Sequence, residues 1–102
     1  MSDATHATVA SFAHDVAREA EARAALHEFI VPSVRRHPGV VSGHWMMDRE
    51  ADESVVVVTF TCLETAQAFA RNVTNNAANQ AAAGLTLIRI RLVEVEASFL
   101  SP

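Results

Sequence analysis

The chain contains no lysine, and all eight of its basic residues are arginine. Schiff-base chemistry on a lysine, including covalent attachment of pyridoxal phosphate, is thereby excluded. Tyrosine is absent too, which removes a phenolic acid or radical site. Cys62 is the sole cysteine, so neither an intrachain disulfide nor a cysteine-based structural zinc site can be assembled. The reducing cytoplasm suits such a chain. Twelve Asp and Glu outnumber the arginines, for a net charge of −4. That balance lacks the positive footprint that phosphate neutralisation requires, so nucleic acid is not expected as a partner. No run of about 18 apolar residues occurs, and the N-terminal stretch MSDATHATVASFAHD has no basic segment leading into a long apolar one. Neither a membrane span nor a secretion leader is expected. Gly and Pro number only three each while half of the 102 residues are hydrophobic, a globular composition of a size that fits one domain spanning residues 1–102.

What is present has a clear order. His6 to Ala13 alternates, with Thr8, Ala10 and Phe12 on one side and Val9, Ser11 and Ala13 on the other, and reads as a strand. Asp15 then opens an amphipathic helix in which Val16, Ala20, Leu26, Phe29, Ile30 and Val34 recur at near-helical spacing. Pro32 should kink or restart that helix, and His37-Pro38-Gly39 should end it. Val40 to Met47 and Ser54 to Thr61 read as an antiparallel hairpin around the charged loop Asp48 to Glu53. Thr61-Cys62-Leu63-Glu64 has the form of a capping box before a second helix carrying Ala66, Phe69, Ala70 and Val73. The Asn- and Ala-rich segment 75–83 continues that helix or forms a short separate one, stopped by Gly84. Leu85 to Ala97 is the last strand.

The order βαββαβ is that of an α+β, ferredoxin-like domain, an antiparallel sheet with both helices on one face. Strand residues of both parities are apolar: Val55 and Val57 on one side, Val56, Val58 and Phe60 on the other, with Val41, Trp45 and Met47 opposite Val40 and Met46. The helix-free face then needs a cover. A second copy of the same sheet supplies it most economically, which predicts a homodimer packed sheet to sheet, a dimeric α/β barrel.

Several residues in this frame carry a family likeness. They are the mid-helix Pro32, the Pro38-Gly39 pair before the second strand, the Gly43-to-Trp45 step, the acidic hairpin and the Glu64-Thr65-Ala66 helix start. From about His6 to Ala97 the chain resembles the dimeric α/β-barrel superfamily, in particular stand-alone domains of the antibiotic biosynthesis monooxygenase-like group. That resemblance implies cofactor-independent oxygenation, haem degradation or isomerisation, or none of these, since the scaffold is reused. The haem-degrading members use an Asn on the first strand and a Trp and a His around the second helix; HATVASFAH and ETAQAFARNVTNNAANQ supply none of them. Quinone-forming members also draw on tyrosines, which this chain lacks. The expectation is an enzyme without cofactor or metal, acting on an aromatic or polyketide-like molecule, or alternatively a non-enzymatic module that binds a small ligand or a protein.

Candidate residues follow from type and position. His44 is the first candidate for a general base on an acidic phenol or enol, against a solvated or structural role. Trp45, adjacent on the strand, faces the opposite side and is either a ligand contact or packing. Arg89 and Arg91 share strand parity with Leu85, Leu87, Val93 and Val95, so Arg89 could hold an anionic ligand group, or both could sit in surface ion pairs. Asn72, Asn75, Asn76 and Asn79 cluster near the end of the second helix, and Asn76 could hold a ligand carbonyl or simply mark a frayed helix. Phe69 would line an apolar pocket, or plug it together with Phe12 and Phe29. His6, His14, His27 and His37 lack metal-binding spacing. Cys62 reads as a buried, inert thiol.

Overall fold

The computed structural model describes residues 3–102; Met1 and Ser2, at the head of the stretch searched for a leader, lie outside it. The elements are β1 (His6–His14), α1 (Glu19–Ala25), α2 (Val31–Arg35), β2 (Val40–Asp48), β3 (Glu53–Phe60), α3 (Leu63–Thr74), α4 (Ala77–Ala82) and β4 (Leu85–Glu94). The strands form one antiparallel sheet in the order β2-β3-β1-β4, with the helices on one face. This is the ferredoxin-like arrangement the βαββαβ order predicts. No helix among the described residues is long and apolar enough to cross a membrane.

The core lies between the sheet and α3. Val58, Phe60 and Ala66 are fully buried, with Ala10, Phe12 and Val56 beside them. Each of these strand residues shares the parity expected from the alternation, because successive side chains of a strand point to opposite faces. Phe60 meets Phe69 of α3 at 5.3 Å between ring centroids, and His37 packs edge-on against both rings. Gly39 makes this close approach of loop and helix possible. Its φ of 78° belongs to the left-handed region, and a Cβ there would lie 2.6 Å from the Thr65 hydroxyl oxygen.

The first helical region departs from the regular amphipathic helix expected. Asp15 does cap its start, accepting from Ala17 N at 3.1 Å, but the first turn, Val16–Arg18, is a 3-10 turn. The main irregularity is a π-helical stretch over Leu26–Ile30, where Val31 N reaches back to the Leu26 carbonyl. Pro32 cannot donate the hydrogen bond that would satisfy Glu28, so the ladder shifts by one residue before the proline instead of at it. The start of α3 also differs from its sequence reading. Cys62, not Thr61, is the N-cap, without a side-chain capping bond, and the Thr65 hydroxyl donates to the Cys62 carbonyl at 3.2 Å. Segment 75–83 resolves as the separate short helix α4. Its last carbonyls, Ala81 and Ala82, accept from the Arg18 guanidinium, a cation well placed at a helix C-terminus.

Two bulges revise which residues share a face. Between β1 and β4 the register steps from Ser11–Arg89 to Phe12–Leu87, leaving Ile88 as the extra residue. Leu85, Leu87, Ile90 and Leu92 therefore lie on the helix side, while Arg89, Arg91 and Val93 lie on the helix-free side. The expected grouping of the arginines with Leu85 and Leu87 is corrected. In β2, Val41 is the extra residue, so Val40 joins Trp45 and Met47 on the helix side rather than opposing them. Beyond β4, Val95 N still donates to Thr5 O, and the strand ends at Glu94 rather than Ala97.

Candidate functional site

α2 packs on β2, and α3 and α4 pack on β4, but α1 and the π-helical stretch are held chiefly at their ends and stand off the sheet. At one end Arg18 ties the chain to α4, and at the other α2 docks on β2. Beneath the raised segment is a cleft of about 1000 Å³. Its floor is Thr8, Ala10 and Phe12 of β1 with Val56 of β3; Trp45 and Met47 close one side, and Ala22, Leu26 and Ile30 form the roof. Asn72, Asn76, Asn79 and Gln80 border the other side. The lining is largely apolar with a few polar groups, as small-molecule sites generally are.

The cleft is open rather than plugged. Phe12 lies flush in the floor at 9% exposure, Phe29 lines the cleft but stays 68% exposed rather than packing into it, and Phe69 is engaged with Phe60 and His37 at one end. Trp45 keeps its place because Gly43, two residues earlier on the same face, leaves room for the indole. A Cβ on Gly43 would come within 2.9 Å of the Trp45 ring.

The proposed site residues divide into two groups. Trp45, Phe69 and Asn76 all line the cleft. His44 and Arg89 do not. His44 pairs with Val57 and Arg89 with Ser11, which puts both on the helix-free face, exposed, with the sheet between them and the cleft. A proton abstracted within the cleft cannot go to His44, and an anion formed there cannot be held by Arg89. The Asn76 carboxamide oxygen accepts from Asn79 Nδ2 at 2.7 Å, while Gln80 Nε2 is committed to the Val73 carbonyl at 2.8 Å.

Other imidazoles occupy the cleft instead. His37 has its Nδ1 3.1 Å from the Pro38 carbonyl, which can only accept, so Nδ1 carries the proton and Nε2 is the basic nitrogen. His14 ends β1 on the same face as Thr8, Ala10 and Phe12, pairing with Leu85. Both His14 ring nitrogens are buried and have no hydrogen-bond partner among the described residues. The signal for His14 was present in the strand's parity, but reading β1 only to Ala13 stopped one residue short of it.

Charge gathers at the mouth near His14. The Arg49 guanidinium, from the β2–β3 loop, contacts Glu19 of α1 at 2.5 Å, and Arg23 reaches the same carboxylate oxygen at 3.5 Å. Glu19 is held below the usual carboxylate range, first by the Arg49 hydrogen bond and charge, with smaller contributions from Arg23 and His14. The loop and helix joined here come from segments thirty residues apart.

No protein-family model matches the sequence, and no curated protein matches it. Solved structures do share its fold. A Nitrosomonas europaea protein of unknown function, NE2512, superposes with a TM-score of 0.67 at 20% identity over 97% of this chain and 96% of its own. The Streptomyces coelicolor monooxygenase ActVA-Orf6, solved with the ligand nanaomycin D, gives a TM-score of 0.67 at 12% identity over 97% of this chain and 94% of its own. A Bordetella bronchiseptica protein named as a candidate antibiotic biosynthesis monooxygenase gives 0.66 at 15% identity, covering 95% of this chain and 100% of its own. The resemblance read from the sequence thus holds at the level of the fold.

Proposed function

We propose that this protein is a cytoplasmic homodimer whose helix–sheet cleft binds a planar aromatic or polyketide-like molecule and oxidises it without a bound cofactor. The observation that carries this reading is the open, largely apolar cleft with an imidazole and carboxamides at its border. The reaction balances with dioxygen alone: a hydroxyarene with an unsubstituted para carbon and O₂ give a quinone and water. The chain's part is to exclude water, stack the ring against Trp45 and Phe69, and take the hydroxyl proton. That a protein of the same fold was solved with nanaomycin D supports the ligand class. A second reading, a binding module without turnover, is favoured by one observation: among the described residues no cleft imidazole is hydrogen-bonded to a carboxylate that would orient it. Oxygen uptake with a panel of naphthols and anthrones, followed alongside Trp45 fluorescence, separates the two. Binding with uptake supports the oxidase, binding alone supports the module, and neither overturns both.

The dimer is argued from the helix-free face. Ile88 and Met46 are about half exposed there, and Val93 is 36% exposed. Charge on this face is polarised, with Asp48 and Glu53 paired at the β2–β3 corner and Arg89 and Arg91 along β4. A two-fold axis along the strands lays β2 of one protomer over β4 of its partner and brings acid toward base; an axis across the strands stacks like on like. Sedimentation of the wild type should give a dimer, and Arg89→Glu with Arg91→Glu should shift it toward monomer. A wild type that stays monomeric at micromolar concentration overturns this part.

A further inference from the structure

The chain carries a net charge of −4, yet the cleft does not share that sign. Among the described residues Glu19 is the one acid that lines it, against two arginines, Arg23 and Arg49. Those arginines keep Glu19 ionised, so with neutral histidines the lining retains one positive charge. Arg49 takes the next place after Trp45 and Met47 on the helix side of β2, just beyond the strand's end at Asp48. Arg23 stands in the roof beside Ala22 and Leu26. Both arginines also border a shallower groove outside the cleft, which puts them on its rim, and more than half of each side chain is exposed. A guanidinium has five N–H donors. Arg23 and Arg49 each place one on Glu19 Oε1, and neither makes another hydrogen bond to a described residue. Nearby acids are engaged elsewhere: Asp48 accepts from the amides of Glu50 and Ala51, and Glu21 is held by Arg18. A strap between roof and loop needs one arginine on Glu19, and Arg49 at 2.5 Å supplies it; Arg23, at 3.5 Å, is surplus to that role. We propose that Arg23 and Arg49 are a specificity-determining pair that binds a carboxylate at the rim, so that the cleft selects planar aromatic carboxylates over neutral molecules of the same shape. Trp45 and Arg49 are four residues apart, roughly 13 Å along an extended strand. A two-ring aromatic stacked on the indole, with a carboxylate at its end, spans much of that distance, and the arginine arm covers the rest. Guanidinium groups suit this task because their donors match the two carboxylate oxygens. The inference rests on the reading of the cleft as a ligand site and holds whether or not the ligand is oxidised there.

The test uses the full chain and two probes of one shape, 2-naphthoate, which is ionised at neutral pH, and the neutral 2-naphthamide, with binding followed by titration calorimetry at low ionic strength. The wild type should bind naphthoate about fivefold more tightly than naphthamide, the scale set by two exposed charge pairs. Arg23→Gln with Arg49→Gln should abolish that preference by weakening naphthoate, and naphthamide should bind as before. Glu19→Gln should act in the opposite direction, tightening naphthoate severalfold by freeing both arginines and removing the competing carboxylate, again with naphthamide unchanged. Should the double variant fold poorly, Glu19→Gln carries the test alone. Equal affinities of the two probes in the wild type, a preference that survives loss of both arginines, or a Glu19→Gln protein that binds naphthoate more weakly, as a merely structural strap requires, overturns the inference and leaves the cleft reading standing. Failure of both probes to bind the wild type overturns the cleft reading itself, and the inference with it.

Discussion

Replacing His14 by phenylalanine should make the ligand-free protein more stable. A neutral imidazole presents one donor and one acceptor, and in His14 both nitrogens are buried without partners among the described residues. Each unsatisfied group carries a desolvation cost of roughly 1–3 kcal/mol. Phenylalanine keeps the ring and removes both polar atoms, and its small extra volume can extend toward the open cleft rather than into the packed core around Val58 and Phe60. Allowing for partial relaxation, the expected net gain is about 1–3 kcal/mol. For a domain of this size each kcal/mol moves Tm by roughly 4–8 °C. Scanning calorimetry at one fixed protein concentration is the assay, because any self-association makes Tm depend on concentration. A His14→Phe protein that melts at or below the wild type without ligand would refute the reasoning, since it would mean that the imidazole is satisfied in solution.

Gly43→Ala puts a methyl group 2.9 Å from the Trp45 ring, so the indole must swing toward the cleft; a shifted Trp emission, weaker naphthol binding and about 1–3 kcal/mol lost in urea titration are expected. Phe60→Ala empties the fully buried position that His37 and Phe69 pack against, and should cost about 3–5 kcal/mol by the same titration, a large share of a small domain's stability. Arg49→Gln removes the largest influence holding the Glu19 carboxyl down, so its pKa, followed by ¹³C NMR, should rise toward the ordinary value. The sign is fixed by that direction: the folded-state pKa lies below the unfolded one, so whatever stability the bridge contributes is present above the unfolded value and fades as pH falls through the folded one.

Much of the fold was legible because it depends on local periodicity. The alternation of Thr8, Ala10 and Phe12, the Val-rich hairpin and the 3.6-residue repeat of Ala66, Phe69 and Val73 each specify an element and its buried face before any partner is known. Trp45, Phe69 and Asn76, each read from the sequence as a ligand contact or as packing and capping, line the cleft. What failed depended on pairing between distant segments. A bulge is a property of two strands, so nothing within Leu85–Glu94 alone announces that Ile88 is the extra residue and that Arg89 changes sides. The position of the π-helical stretch and the height of α1 above the sheet likewise arise from contacts at both ends of the segment, including Arg18 with α4 and Glu19 with Arg49. The amino-acid order therefore determined the elements and their apolar faces, through interactions within a few residues. Only the assembled sheet and its raised helix decided that a cleft exists, that both His14 ring nitrogens are buried without a partner among the described residues, and that His44 stands on the other side, because those facts are set by register and distance between segments far apart in the chain.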